Sequence, residues 1–155
     1  MQRALAATNL ILAFIATTAP LAHVLELPAK LSLDGSLWLL VQQQLYRGWG
    51  PLFGPIEIAA LLSSMALAFS LQAEWRTYAV AAVCYGLMLA CFFLFNDPVN
   101  QAVNSWTVAS LPGTWPSYRV RWELGHALSA LFSIIAFAGL TRARIRRGAQ
   151  ERADL

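Results

Sequence analysis

The sequence predicts an all-α integral membrane protein, a four-helix bundle with two long outer loops that contain short interfacial helices. Three observations predict it. The 155-residue chain is 58% hydrophobic and 12% charged, about half the share of charge in a soluble domain. Its apolar residues gather in four blocks, 4–22, 52–71, 77–95 and 122–140, each near the roughly 20 residues that cross about 30 Å of hydrocarbon as a helix. Trp38, Trp49, Trp106, Trp115 and Trp122 stand in or beside the loops at one end of these blocks, and Trp75 stands at the turn at the other end. Tryptophans at the two interfaces, with none in mid-span, are the pattern of membrane anchors.

The first span is expected over about 4–26. Although Arg3 precedes it, its apolar part is long and "APLAH" lacks small residues at both cleavage positions, so it reads as a retained helix and not a signal peptide. A loop of about 25 residues follows, in which Ser36 is placed to cap a short helix over about 37–46 that ends before Gly48 and lies in the interface as a lid. The second span, 52–71, and the third, 77–97, are joined by the short turn "QAEWR". Cys84 and Cys91 on the third span are two helical turns apart, about 10 Å, too far for a disulfide, and read as small apolar groups. In the second long loop Asp97 is placed to cap a helix with Pro98 first, Asn96, Asn100 and Asn104 would share a face, and Pro112, Gly113 and Pro116 force a loop. The fourth span is expected over 122–141, which leaves 142–155 as a basic tail outside the bundle of 1–141.

Arg142, Arg144, Arg146 and Arg147, with Arg3 and Arg76 at the same end, place both termini in the cytoplasm, as in a bacterial inner membrane. Lys30, Arg47, Arg119 and Arg121 on the opposite side weaken that bias without reversing it. The net charge of +3 thus reflects topology. The partner it implies is anionic lipid of the bilayer and not nucleic acid. Ala59, Ala60, Ser63, Ser64 and Ala66 allow close helix approach within one subunit or between subunits, which leaves the oligomeric state open.

The ionisable residues fall at one depth. His23 and Glu26 close the first span in "HVLELP", Glu57 lies one to two turns into the second, Asn96 and Asp97 close the third, and Glu123 and His126 open the fourth in "RWELGHAL". Because the helices alternate in direction, all of these lie at the outer face. His-x-x-Glu on the outgoing helix mirrors Glu-x-x-His on the returning one, with about 4.5 Å of rise between the members of each pair and the histidine deeper in both. Carboxylates here are costly. They need protons, arginine partners such as Arg47, Arg119 and Arg121, or a metal ion. Dinuclear carboxylate bundles draw Glu-x-x-His from two helices and a Glu from each of two more. His23, Glu26, Glu57, Glu123 and His126 make a comparable candidate ligand set. The third helix offers Asn96 and Asp97 in place of an internal glutamate, so one ion is easier to satisfy than two. Mixed nitrogen and oxygen ligands suit zinc, iron or copper. Taken singly, each residue has a plainer reading. Glu123 in a first helical turn is favoured by the dipole, and the arginines serve as headgroup anchors. Glu57 is the hardest to dismiss, because intramembrane acids usually serve function.

"HVLELPAKL", "NDPVNQAVNSW" and "RVRWELGHALSALF" together resemble the anthrone-oxygenase-like family of small four-helix membrane proteins, from about His23 to Leu140. The carriers of the resemblance are N-x-P-x-N at Asn96, Pro98 and Asn100, and R-x-R-W-E-x-x-H at Arg119, Arg121, Trp122, Glu123 and His126. Many bacterial members of that family are known only as a domain of unknown function. Its characterised fungal members oxidise anthrones to anthraquinones with molecular oxygen. The resemblance implies an oxygenase or oxidoreductase acting on a lipophilic phenolic, anthrone- or quinol-like small molecule at the outer face. In such a site His126 or His23 would be the base, Glu123 would orient an imidazole, and Arg119 and Arg121 would stabilise developing charge. Asn96, Asn100, Trp106 and Trp122 would bind substrate, and a bound metal would assist. Two alternatives stay open, a non-catalytic metal- or ligand-binding module or partner subunit, and a structural protein whose polar cluster locks its loops.

Overall fold

The computed structural model describes residues 2–71 and 73–153. Among these there is no strand, and four helices are long and apolar enough to cross a membrane, Gln2–Leu25, Trp49–Ser70, Trp75–Ser105 and Trp115–Gln150. The elements are α1 (Gln2–Leu25), α2 (Leu27–Leu31), α3 (Gly35–Gln44), α4 (Trp49–Ser70), α5 (Trp75–Cys91), α6 (Asp97–Ser105) and α7 (Trp115–Ala153). A π-helical turn, Phe92–Asn96, joins α5 to α6. The helix α1 packs on α4 and α7, and α5 packs on the same two, so the four spans close a ring.

Small residues bring the helices together. Ala13, Ala16, Ala60 and Ala136 are almost completely buried along the contact lines, and Leu67, Tyr85 and Met88 fill the space between them. The Asn9 amide, buried on α1, donates to the hydroxyls of Ser63 at 2.8 Å and Ser64 at 2.9 Å on α4. Ala60, Ser63 and Ser64 of the small stripe on α4 therefore serve a contact within the chain, while Ala66 is exposed. Ile11, Phe14, Leu62, Val83, Leu131 and Ile135 point outward, as lipid-facing side chains do. At the end where the chain starts, Gln2 bonds to the Ser70 carbonyl at 3.1 Å and Arg147 lies 3.8 Å from Glu74. Of the tail expected over 142–155, residues 142–153 continue α7 as one helix, and 154–155 lie outside the described residues.

Both loop helices differ in detail from expectation. The cap of α3 is Asp34, not Ser36; its carboxylate accepts from the Leu37 amide at 2.9 Å, so the helix starts at Gly35. A Cβ at Gly35 would lie 2.6 Å from Leu111 and 2.8 Å from Trp115, so the glycine lets the start of α3 close against the second loop. The helix does not lie free in the interface. Trp38 and Leu39 are wholly buried and belong to one apolar cluster with Val99, Val103 and Trp122, which caps this end of the bundle.

Asp97 is the first residue of α6 and not its cap, and α6 continues the third span without a break. Asn96 before it has helical angles, φ −84° and ψ −48°, and the chain runs through to Ser105. The π turn takes up the irregularity that Pro98 imposes. Proline brings no N–H to its α-helical acceptor, the Leu94 carbonyl, and the Arg121 guanidinium donates to that carbonyl at 2.6 Å. The freed Asp97 carboxylate accepts from Gln101 at 2.7 Å.

Candidate functional site

The two histidines meet. His23 on α1 is 2% exposed, and its ring centre lies 4.0 Å from that of His126 on α7. Aromatic rings enclose the pair. Trp122 is 4.2 Å from His126 and 4.7 Å from His23, and Tyr46 and Trp49 are 4.6 and 4.9 Å from His23. The imidazoles form one wall of a cavity of about 660 Å³ that runs between α4 and the third span. Of the expected site residues, His23, Glu57, Asn96, Asn100, Trp122 and His126 line it, whereas Glu26, Trp106, Arg119, Arg121 and Glu123 do not.

The segment "RWELGHAL" folds into this wall residue by residue. A Cβ at Gly125 would overlap the Asn96 amide and lie 2.8 Å from the Phe95 Cβ, so glycine is what lets α7 close on the π turn. Asn96 is 1% exposed and donates to the Trp122 carbonyl at 2.9 Å, while the Trp122 indole donates to Asn100 at 2.9 Å. The two motifs singled out in sequence, N-x-P-x-N and R-W-E-x-x-H, are therefore two halves of one joint, and Trp122 is its pin. One turn further along α7, the joint sets His126 against His23.

The glutamates diverge from the histidines. Glu26 accepts from the Tyr46 hydroxyl at 2.6 Å and stays 3.8 Å from His23 Nδ1, beyond hydrogen-bond reach. Burial, and then the bond to Glu26, raise the Tyr46 phenol above its ordinary pKa, which keeps it a donor. Glu123 pairs with Lys30 of α2 at 2.9 Å, and both side chains are almost wholly buried. The Lys30 ammonium also lies 5.0 Å from the centre of the Trp122 ring, within cation–π range. Glu57 lines the cavity from α4, and its carboxylate makes no hydrogen bond or ion pair with any described residue.

Among the described residues no three His, Cys, Asp or Glu side chains stand together as a metal site. The donor chemistry explains this. One carboxylate is spent on a lysine, one on a tyrosine, and rings surround the imidazoles. As placed, Glu26 and Glu123 face partners other than the imidazoles, and of the three carboxylates Glu57 alone shares the cavity with them.

Arg119 and Arg121 act on the frame. Arg119 donates to the carbonyls of Lys30 at 3.2 Å and Leu33 at 3.0 Å and lies 4.7 Å from the Trp115 ring, so it pins the first loop onto α7. Trp106 packs on Tyr118 at 4.9 Å. The sequence reading gave no site role to Lys30, Tyr46 or Trp49. For Lys30 a signal was present, a lone cation in an apolar segment, "LPAKL", beside a span that carries a glutamate in need of a partner.

Among curated proteins and solved structures nothing matches the chain. The family model for anthrone oxygenase matches residues 43–139. That stretch contains Tyr46, α4, the π turn, both halves of the Trp122 joint and His126. It begins after His23, Glu26 and Lys30, so this chain supplies the second histidine and the lysine from outside the matched region. With well over half of its length covered, the chain belongs to the anthrone oxygenase family.

Proposed function

We propose that the protein is a membrane oxygenase that oxidises a lipophilic phenolic, anthrone- or quinol-like ring in the cavity, with His126 as base and His23 as its partner. The observation that carries this reading is the pair of imidazoles in contact on the wall of an aromatic-lined cavity. A ring stacked among Trp49, Trp122 and the histidines presents an acidic C–H or O–H to an imidazole nitrogen. Proton transfer to a positioned imidazole is worth about 10²–10⁴ in rate. The resulting electron-rich anion is oxidised directly by O₂. For an anthrone-type methylene the balance is closed. The carbon loses two hydrogens, one oxygen atom becomes the ring carbonyl, and the other leaves as water.

The remaining groups support the geometry. Tyr46 and Glu26 hold a polar contact behind His23, and Lys30 and Glu123 hold Trp122 and the first turns of α7. A metal-assisted version is the less favoured form, because Glu26 and Glu123 are engaged by Tyr46 and Lys30, and of the three Glu57 is left as the one free carboxylate beside the imidazoles. The arginines of α7 beyond the bundle favour a cytoplasmic location for both chain ends, which puts the cavity at the opposite face.

The test is anaerobic. Purified protein is mixed with anthrone in D₂O, and deuterium exchange at the acidic methylene is followed by NMR. The wild type should exceed the uncatalysed rate, and His126→Ala should lose at least about tenfold of that excess. Binding of anthrone without any acceleration of exchange would refute the catalytic reading and leave a ligand-binding module.

A further inference from the structure

Two apolar side chains of the cavity wall stay well exposed. Ile58 on α4 and Phe93 in the π turn both line it and are 47% and 63% exposed. An apolar side chain that lines the cavity and is this exposed marks a place where the wall is not covered by a neighbouring helix. Ile58 lies nine residues into α4, about 13 Å along its axis, so the surroundings at that depth are hydrocarbon. Two further observations agree. In α4 only 17% of the apolar window is buried, against 33–39% in the other three spans. Gly50 and Gly54 line the cavity, and a Cβ at either would meet nothing within 4 Å.

We propose that the site takes a ring that carries a hydrocarbon chain, with the ring at the histidine pair and the chain leaving between Ile58 and Phe93 into the bilayer. This rests on the reading of the cavity as the site of a lipophilic ring substrate and narrows it to a chain-bearing one. A closed cavity would have to hold the whole substrate. An opening between Ile58 and Phe93 removes that limit, because methylenes lying in lipid cost nothing to leave outside. The walls of the opening are apolar on both sides, as the chain requires. Chain contacts with Ile58 and Phe93 then add affinity that a bare ring does not gain.

The experiment compares two probes on the purified full chain in lipid nanodiscs, the ubiquinone ring without a side chain and the same ring with a decyl chain. Probe concentrations are expressed per lipid so that partitioning cancels, and binding is read from the rise in the thermal unfolding midpoint. The variants are Ile58→Trp and Phe93→Trp. Both replace exposed side chains, so one remains informative if the other fails to fold. Each should weaken the decyl probe about tenfold, the equivalent of roughly two buried methylenes, and leave the bare ring unchanged. Equal affinity of both variants for both probes would overturn the proposal, and so would equal loss of both probes. If neither probe binds the wild type, the reading of the cavity as a ring site fails as well, and that outcome is distinct from the other two.

Discussion

Lys30→Met removes the cation of a buried ion pair and keeps its volume. The partners are 2.9 Å apart, with side chains 4% and 9% exposed. At an effective dielectric of about 20 that separation gives a gross attraction of roughly 6 kcal/mol, set against several kcal/mol to desolvate each ion. The net value of the pair is therefore small, whereas the cost of breaking it is not. Glu123 Oε1 already has no hydrogen-bond partner, so the variant leaves both carboxylate oxygens buried and unpaired. Loss of one partner of such a pair costs about 3–5 kcal/mol, which for a chain of this length lowers the midpoint of thermal unfolding by roughly 10 °C. The double variant Lys30→Met with Glu123→Met removes both charges and should recover most of the loss. Thermal unfolding in detergent, followed by near-ultraviolet circular dichroism of the aromatic side chains, reads both effects. A stable Lys30→Met single variant, or a double variant that loses as much as both singles combined, would refute the reasoning.

Gly125→Ala forces a methyl into the buried Asn96 amide and should cost about 1–3 kcal/mol, and Trp122→Phe should lose about 1 kcal/mol with its bond to Asn100; both are checked by thermal unfolding. The Tyr46 phenol has a raised pKa in the folded state, so its contribution to stability is full below the unfolded value of about 10 and declines above it. Wild type should therefore lose stability relative to Tyr46→Phe as pH rises past that value, a difference measured by unfolding across an alkaline series. Dialysis against a strong chelator should leave the unfolding midpoint unchanged, because Glu26 and Glu123 are held by Tyr46 and Lys30 without a metal; a marked fall would restore the metal reading.

The spans were legible because hydrophobic length is a strong one-dimensional signal. The order of charged residues along alternating helices likewise placed the polar groups at one end. The meeting of His23 with His126 followed from the mirrored motifs. The glutamates did not follow, and helix geometry says why. Residues three apart are offset by about 60° around the axis, so a pair of helices can bring their histidines together while each glutamate turns toward a different neighbour. Which neighbour is a property of the loops. Lys30 reaches Glu123 across 93 positions of sequence and Tyr46 reaches Glu26 across 20, and no local pattern encodes either contact. The same limit applied to Asp97. Asp-Pro reads locally as a helix start, but a π turn and a guanidinium from α7 carry the helix through it.

The most direct test of the central claim is oxygen consumption by the purified protein with anthrone as substrate, measured with parallel quantitation of anthraquinone. The account predicts one O₂ consumed per anthraquinone formed, with the rate above background falling at least about tenfold in His126→Ala while the variant keeps its fold and its binding of the ring. A folded, ring-binding His126→Ala that turns over at the wild-type rate would contradict it.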